Sequence, residues 1–379
     1  MTFASPQYAH ETPAWPEFHW DHTAFGKALA DVHFRRGALV TAMGDLGFAT
    51  QQETVLEALV QDVTQSSEIE GKHLDAQQVR SSIATRLGLD TAGLPVPDRH
   101  VEGVVDMILD ATQRFEAPLT ADRLFGWHAA LFPTGRSGLH RIIVGAWRDD
   151  RQGPMMVLSG APDRPDRQVV HFVAPAADRV PAEMARFLAW FESADLDPVL
   201  KAATAHLWFL TIHPFDDGNG RMARAIADLA LARADGSRQR YYSMSARIRL
   251  ERQSYYRVLE ETQKGGMDVT GWISWFLECL HAALDTTEHL IAQVRFKRAY
   301  WHAHGGQDLN ARQRKMLNAL LDGFDSKLRS SKYAAFTGCS QPTAVRDLGD
   351  LVEKKLLRVM DGTGGRGTAY ELVLPAAHP

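Results

Sequence analysis

Residues 213–224 read His-Pro-Phe-Asp-Asp-Gly-Asn-Gly-Arg-Met-Ala-Arg, and this run constrains the chain more than any other segment of its length. Upstream, Leu200, Ala203, Leu207 and Leu210 recur at helical spacing through residues 199–212. Pro214 biases His213 out of the α region and so ends that helix. Downstream the helical pattern resumes over residues 221–234, through Ile226, Leu229, Ala230 and Arg233. Gly218, Asn219 and Gly220 therefore form a turn that opens a second helix, where unpaired amides and the helix dipole favour an anion. Such a chain is helical, with a phosphate-sized cradle between two of its helices.

The side chains around the turn suit chemistry on a phosphate. Arg221 and Arg224 are three apart and share a face, so their forked donors can hold the outer phosphates of a nucleotide. Asp217 supplies a hard oxygen for a magnesium ion bridging the same phosphates. His213, with an ordinary pKa of about 6.5, is the natural base for an attacking hydroxyl. Taken singly, a Gly-Asn-Gly between helices is a turn and a histidine in a helical protein is structural. Other phosphate and metal motifs do not fit. No Gly-Lys-Ser follows the turn, Ala227 stands where an EF-hand starting at Asp216 would need its glutamate, and His206 and His213 lack zinc-site spacing.

The segment resembles the signature of the Fic family, His-x-Phe-x-acid-Gly-Asn-Gly-Arg-x-x-Arg, and every position is matched. The resemblance implies adenylylation: transfer of AMP from ATP to a Ser, Thr or Tyr hydroxyl of a protein, with release of pyrophosphate and with Mg2+ as the metal. It implies that His213 is the base and Asp217 the magnesium ligand. Gly218, Asn219 and Gly220 would form the α-phosphate hole, Arg221 and Arg224 the β/γ-phosphate clamp, and Phe215 an apolar anchor for the loop.

A second motif lies upstream, where residues 64–72 read Thr-Gln-Ser-Ser-Glu-Ile-Glu-Gly-Lys at the end of a helical stretch from about Gln52. Gly71 suits a helix C-cap, and Ser66 and Glu70 are four apart on one face. By pattern alone this is a solvated helix end with a local hydrogen bond. It is also similar to the Ser-x-x-x-Glu-Gly inhibitory motif of Fic proteins that carry their inhibitor on the N-terminal side of the core. That resemblance implies that Glu70 pairs with Arg224 and takes the place of the γ-phosphate, a carboxylate imitating a phosphate.

Residues 154–160 and 169–174 are short apolar runs around Ala-Pro-Asp-Arg-Pro-Asp-Arg, which predicts a β-hairpin. Its edge could take an extended target segment by strand addition, like the flap of Fic enzymes, and a merely structural hairpin fits the pattern as well. Farther on, helical spacing puts Tyr256 and Gln263 on one face, and an aromatic with an amide suits an adenine ring. By family resemblance Tyr255, Tyr256 and Gln263 are base-site residues, although Gln263 stands where other members often carry asparagine. Core packing accounts for both tyrosines equally. His128, His140 and Trp147 read as core or scaffold.

The chain of 379 residues, 45% hydrophobic and 23% charged, is long enough for two or three domains with real cores. Its two cysteines, Cys279 and Cys339, imply no disulfide framework and fit a reducing compartment. The N-terminus lacks the pattern of a signal peptide, and the longest apolar stretch, residues 272–284, is too short to span a bilayer. A cytoplasmic protein with no membrane partner is expected. The net charge of -4 gives no global sign of nucleic-acid binding, but residues 309–374 hold eleven Lys or Arg against seven Asp or Glu, a balance of +4 that leaves -8 for the remainder.

That tail reads as a separate module: helical patterns over 309–321, 332–336 and 341–355, then strands over 356–360 and 370–374 joined by a glycine-rich basic turn. It resembles a winged helix-turn-helix domain. The resemblance implies DNA contacts from Ser340, Gln341, Thr343 and Arg346 in the major groove and Arg366 on the wing, while dimerisation or protein docking fits the same shape. The expected architecture is mainly α, a Fic helical core with a small β-hairpin flap between an N-terminal helical region and a winged helix. Its domains are 1–92 with the inhibitory helix, 99–293 as catalytic core and following helices, and 306–375 as winged helix, with residues 93–98 as linker. The expected function is AMP transfer from ATP to a protein, which could be the chain itself, restrained by Glu70. A DNA-binding regulator with a nucleotide-sensing core, an enzyme that removes AMP, and a homodimer stay open.

Overall fold

The computed structural model describes residues 8–373 except 45, 92, 152, 161–167, 305, 322–323, 325–326 and 364–367, and omits the side chain of residue 49. Among these residues the chain is mainly helical with small antiparallel hairpins, and it divides into two compact units at Thr287/Glu288. The segments expected as domains 1–92 and 99–293 thus share one unit up to Thr287. No described helix is long and apolar enough to cross a membrane.

The first unit begins with α1 (His22–Gly44), α2 (Phe48–Ile69) and α3 (Ala76–Arg86), followed by α4 (Arg99–Gln113) and α5 (Ala121–Leu131). Side-chain N-caps set several starts: Asp75, Asp98 and Thr120 accept from backbone N–H groups at the heads of α3, α4 and α5. Helix α2 starts four residues before the predicted Gln52, after Gly47 at its N-cap. Phe48 there is exposed, which masks the helical period on which the prediction rests. Two ladders follow. Strands β1 (Arg136–Ser137) and β2 (His140–Arg141) form one, and β3 (Met156–Ser159) pairs antiparallel with β4 (Val169–Val173), with a bulge between Val157 and Leu158. The hairpin predicted over 154–174 is therefore present, while its turn over 161–167 lies outside the described residues.

After α6 (Val180–Ser193) come α7 (Pro198–Ile212) and α8 (Asn219–Asp235), which pack on each other. Helix α7 starts where Asp197 accepts from Val199 N and Leu200 N, with Pro198 at the first helical position. Both helices are buried almost all round, which marks them as the centre of the fold. Side chains such as Phe209, Ile226 and Leu229 are fully buried, each stabilising by roughly 2–3 kcal/mol over exposure. Helix α4 packs on α8, so the loop between α7 and α8 is held by elements on several sides. Helices α9 (Met244–Leu250) and α10 (Arg252–Gln263) follow, then α11 (Thr270–His304). Helix α2 lies along α9, and Asp62 on it accepts from Ser243 Oγ at 2.5 Å and Ser245 N at 3.3 Å.

The second unit contains α12 (Ala311–Leu321), α13 (Ser330–Thr337) and α14 (Gln341–Glu353), then β5 (Leu357–Val359) paired antiparallel with β6 (Tyr370–Leu372). Its core is Tyr300, Met316, Leu317, Leu328, Tyr333, Leu348, Leu351 and Leu356, with Asp347 bridging Arg312 and Tyr333 beneath α14. Gly338, at φ +68°, stops α13, and Ser340 caps α14 through Thr343 N. Ser340, Gln341 and Arg346 are exposed and Thr343 is half-buried, whereas Arg366 and the glycine-rich turn around it lie outside the described residues.

Candidate active site

The junction of α7 and α8 is built from the loop that the sequence singled out. His213 caps α7 in the left-handed conformation, φ 52° and ψ 57°, with its N–H donating to Phe209 O at 2.9 Å. The sequence led us to expect the residue before Pro214 outside the α region. It has left the right-handed region, but for the left-handed basin rather than the extended one, a conformation that costs a non-glycine residue energy and is retained where the surroundings over-determine it. Arg148, which the sequence reading did not single out, supplies much of that restraint. This buried guanidinium donates from Nε to His213 O at 2.8 Å, from Nη1 to Asp150 Oδ1 at 3.0 Å and from Nη2 to Pro175 O, while Arg148 N donates to Pro214 O at 3.0 Å.

The imidazole of His213 is oriented by Nδ1, 3.2 Å from Leu210 O. A carbonyl only accepts, so Nδ1 carries the proton and Nε2 keeps its lone pair. Burial holds the ring's pKa down to about 4, opposed by the Leu210 carbonyl and by the charges of Glu70 and Asp217. The ring is therefore a neutral base near pH 7.

Phe215 is fully buried and anchors the loop: His128 stacks on it at 4.2 Å, and Phe125, Trp147 and Phe209 surround it. His128 and Trp147 are thus scaffold, as expected, but His128 does more than fill space. Its Nε2 lies 3.1 Å from Asp217 O and its Nδ1 accepts from Gly145 N at 3.3 Å, tying the loop to the α5 side. Asn219 braces the loop as well, its Oδ1 accepting from Phe215 N at 3.1 Å and its Nδ2 donating to Phe215 O at 2.7 Å. Its side-chain amide is committed to the loop, so what Asn219 offers an anion is its main-chain N–H. Asp217 accepts from Ser137 Oγ and, at 2.5 Å, from Gly218 N.

Gly218 is the N-cap of α8 at φ +84°, and a Cβ there would lie 2.9 Å from the Phe132 ring. Gly220, in the first turn, opens its Cα toward the carboxylate of Glu70: a Cβ would meet Glu70 Oε1 at 2.1 Å and Arg224 Nη1 at 3.3 Å. A carboxylate therefore sits against the amide-rich start of α8, where an anion is favoured.

Glu70, one residue before the expected Gly71, is the C-cap of α2, and Gly71 follows it in the left-handed region at φ +71°. Its Oε1 is 2.8 Å from Arg224 Nη2, and the same guanidinium donates from Nε to Ser66 Oγ at 2.9 Å and from Nη2 to Ser66 O at 2.7 Å. The structure brings Ser66, Glu70 and Arg224 together. The helix end is held from α10, where Arg252 Nε donates to Ile69 O at 2.8 Å and Tyr256 Oη donates to it at 3.3 Å. Burial disfavours the charge on Arg224, but Glu70 together with Tyr255 and Tyr256 outweighs it and holds the guanidinium pKa above its ordinary value. On the two arginines of this loop, Arg221 Nε and Arg224 Nη1 are buried donors without a partner among the described residues. Unpaired buried donors are costly, and an arriving anion would satisfy them. Arg221 also lies over the Phe132 ring at 5.2 Å.

These groups border a cavity of about 1090 Å³, which Glu70, His213, Gly220, Tyr255, Tyr256 and Gln263 line together with the β3–β4 hairpin. Tyr256 and Gln263 thus face one space, as their spacing implied. Tyr255 is almost fully buried with its hydroxyl 3.0 Å from His206 Nε2, and Gln263 Nε2 donates to Thr211 Oγ1 at 3.4 Å. Among the described residues no group of three or more His, Cys, Asp or Glu side chains gathers as a metal cage. A lone carboxylate, Asp217, fits a magnesium ion only in the mode where phosphates and water complete the shell.

Comparison with known proteins agrees with this geometry. Residues 118–231 match the Fic/DOC family, and residues 8–89 match a domain of unknown function, DUF4172. The protein adenylyltransferase Fic of Culex quinquefasciatus is 28% identical over 233 residues, 60% of this chain and 41% of that protein. Its namesake in Drosophila willistoni is 29% identical over 263 residues, 68% of this chain and 47% of that protein. The chain thus matches less than half the length of these curated relatives. Two solved structures share the fold. One is a Fic domain containing signaling protein from Bacteroides thetaiotaomicron, with TM-score 0.50 and 20% identity over 69% of this chain and 95% of that one. The other is Fic-1 (residues 134–508) from C. elegans, with TM-score 0.50 and 20% identity over 72% and 74%. With its loop from His213 to Arg224 inside the matched segment, this chain carries a Fic/DOC family domain at residues 118–231.

Proposed function

We propose that this chain is an enzyme that transfers AMP from ATP to a hydroxyl of a protein, and that Glu70 holds it in a restrained state. The observation that carries the reading is the Glu70 carboxylate seated against Gly220 and paired with Arg224 at 2.8 Å. That is the place where the amide-rich start of α8 and two arginines would receive a phosphate. The relatives named protein adenylyltransferase support the reaction class.

In this reading the cavity takes ATP with its base toward Tyr255, Tyr256 and Gln263 and its phosphates on the start of α8. His213 Nε2 removes the proton of the target hydroxyl as the oxygen attacks the α-phosphorus and pyrophosphate leaves. Amides of Gly218, Asn219 and Gly220, with Arg221 and Arg224, face the charge that builds on the phosphate oxygens. Asp217 would hold Mg2+, which when bound neutralises phosphate charge. The exposed edge of the β3–β4 hairpin would register the target backbone. Glu70 opposes all of this by claiming Arg224 and the space beside Gly220. Residues 306–375 form, in this reading, a winged helix, supported by three helices followed by the β5–β6 ladder.

Removal of AMP from a target is a second reading, favoured by the same carboxylate, which could position a water beside the α-phosphate. Incubation of the Glu70→Gly chain with ATP labelled separately at the α and γ positions separates the classes. Protein-bound label from the α position alone supports transfer of AMP, label from the γ position identifies a kinase, and release of AMP from a pre-labelled chain only by the native protein supports removal.

A further inference from the structure

A second reactive constellation lies in the wall of the same cavity, outside the loop of residues 213–224. Ser159, at the end of β3, has its Oγ 2.6 Å from His171 Nε2 on β4, and His171 Nδ1 is 2.7 Å from Glu260 Oε2 on α10. The other oxygen of Glu260 is held by Lys264 Nζ at 2.5 Å. An ionised carboxylate only accepts, so Nδ1 donates to Glu260. In the neutral form of the ring Nε2 keeps its lone pair, and the Ser159 hydroxyl is then the donor. This is the order of groups that activates a serine: nucleophile, base, and a carboxylate that fixes the tautomer and steadies the imidazolium.

The placement decides which electrophile the hydroxyl meets. Ser159 is exposed, and Ser159, His171 and Glu260 line the cavity that also holds His213 and Gly220. Gly220, which lines that cavity, belongs to the amide-rich start of α8 where an anion is favoured, so the electrophile presented there is a phosphorus. A structural clip between hairpin and α10 would need only His171 and Glu260. It gives no role to a hydroxyl donating into the free ring nitrogen at the cavity surface.

We propose that Ser159 is a self-modification site at which the chain places the nucleotidyl group on its own hairpin, with His171 as the base and Glu260 as its positioning residue. This rests on the AMP-transfer reading above. Ser159 Oγ attacks the α-phosphorus of ATP and forms the new P–O bond, while the bond between the α-phosphorus and the bridging oxygen of pyrophosphate breaks. The serine proton passes to His171 Nε2 and from there to solvent, and pyrophosphate departs. The product is an adenylylated serine on the strand that borders the nucleotide cavity, a bulky anionic mark on the edge proposed to receive a target.

The full chain carrying Glu70→Gly, incubated with ATP and digested with trypsin, tests this. Residues 152–167 form a tryptic peptide with a single hydroxyl side chain, Ser159, because Arg164 precedes proline. The expected result is the mass of one adenylyl group on that peptide, formed at a rate per chain independent of protein concentration. The modification is lost with Ser159→Ala, retained with Ser159→Thr, and slowed by roughly a hundredfold with His171→Ala. Adenylyl groups found only on other peptides would overturn the Ser159 site while leaving AMP transfer standing. An absence of protein-bound adenylyl anywhere on the Glu70→Gly chain and on added protein acceptors would overturn the transfer reading itself, and this site with it. Equal modification of the peptide in the His171→Ala chain would remove the base from the proposal.

Discussion

Oε1 of Glu70 lies 2.8 Å from Nη2 of Arg224, joining the last turn of one helix to the first turns of another across the place where α8 exposes its amides. Arg224 is almost wholly buried and also holds Ser66, so the pair is a fixed part of the core with one face toward the cavity.

Replacement of Arg224 should therefore damage both fold and function. Arg224→Ala leaves Glu70 and the Ser66 carbonyl without their donor, a loss of roughly 3 kcal/mol. A denaturant midpoint lowered accordingly, together with loss of nucleotide binding, is the expected outcome. Unchanged stability would mean that the pair is loose in solution.

Gly220→Ala separates displacement of Glu70 from activation. The new methyl would fall 2.1 Å from Glu70 Oε1 and so must expel the carboxylate. It then fills the space that the carboxylate vacates. Nucleotide affinity should be weaker than that of Glu70→Gly by roughly tenfold or more, as titration of labelled ATP would reveal. Affinity equal to that of Glu70→Gly would show that the phosphate does not approach Gly220.

The pH profile follows from the state of His213. Burial holds its pKa down to about 4, and the general base must be neutral, so activity requires a pH above that value. As pH falls through the ordinary histidine range the ring stays neutral, and the rate of Glu70→Gly chains should hold until the pH approaches 4. Loss of the Glu70 charge, which raises the pKa, moves this limb lower still. Single-turnover transfer measured between about pH 5 and 8 checks the point. An acid limb centred near the ordinary value contradicts a desolvated ring.

Phe215→Ala should cost about 3–5 kcal/mol, because the ring is fully buried against His128, Trp147 and Phe209. Transfer should fall with it even where the chain stays folded, since the loop loses its seat. Thermal melting together with activity at low temperature measures both effects.

The loop was legible because its signals are local: a helix stopped at His213, a glycine turn, and two arginines on one face of the next turn. The tail's three helices and closing strands were legible for the same reason. The roles of other residues depend on contacts between distant segments. Nothing in the neighbourhood of Arg148 announces that its guanidinium holds His213 O, and His128 looked like ordinary core until its ring was seen to stack on Phe215. Asn219 has the right neighbours for a phosphate ligand, yet its amide turns back to Phe215. The pairing of Glu70 with Arg224 came from family resemblance, because the pattern alone fits a solvated helix end. The Ser159–His171–Glu260 arrangement needed the register of β3 on β4 and the packing of α10, neither of which a hairpin pattern specifies.

The most direct test of the account is transfer from α-labelled ATP to protein, measured in chains that all carry Ser159→Ala to remove the separate His171-served site, with native Glu70, with Glu70→Gly, and with Glu70→Gly combined with His213→Ala. Freeing Arg224 from a charge-assisted contact should raise the rate by roughly tenfold to a hundredfold. Adding His213→Ala should abolish transfer while labelled ATP still binds. Equal labelling with native Glu70 and with Glu70→Gly, or undiminished labelling once His213→Ala is added, would contradict it.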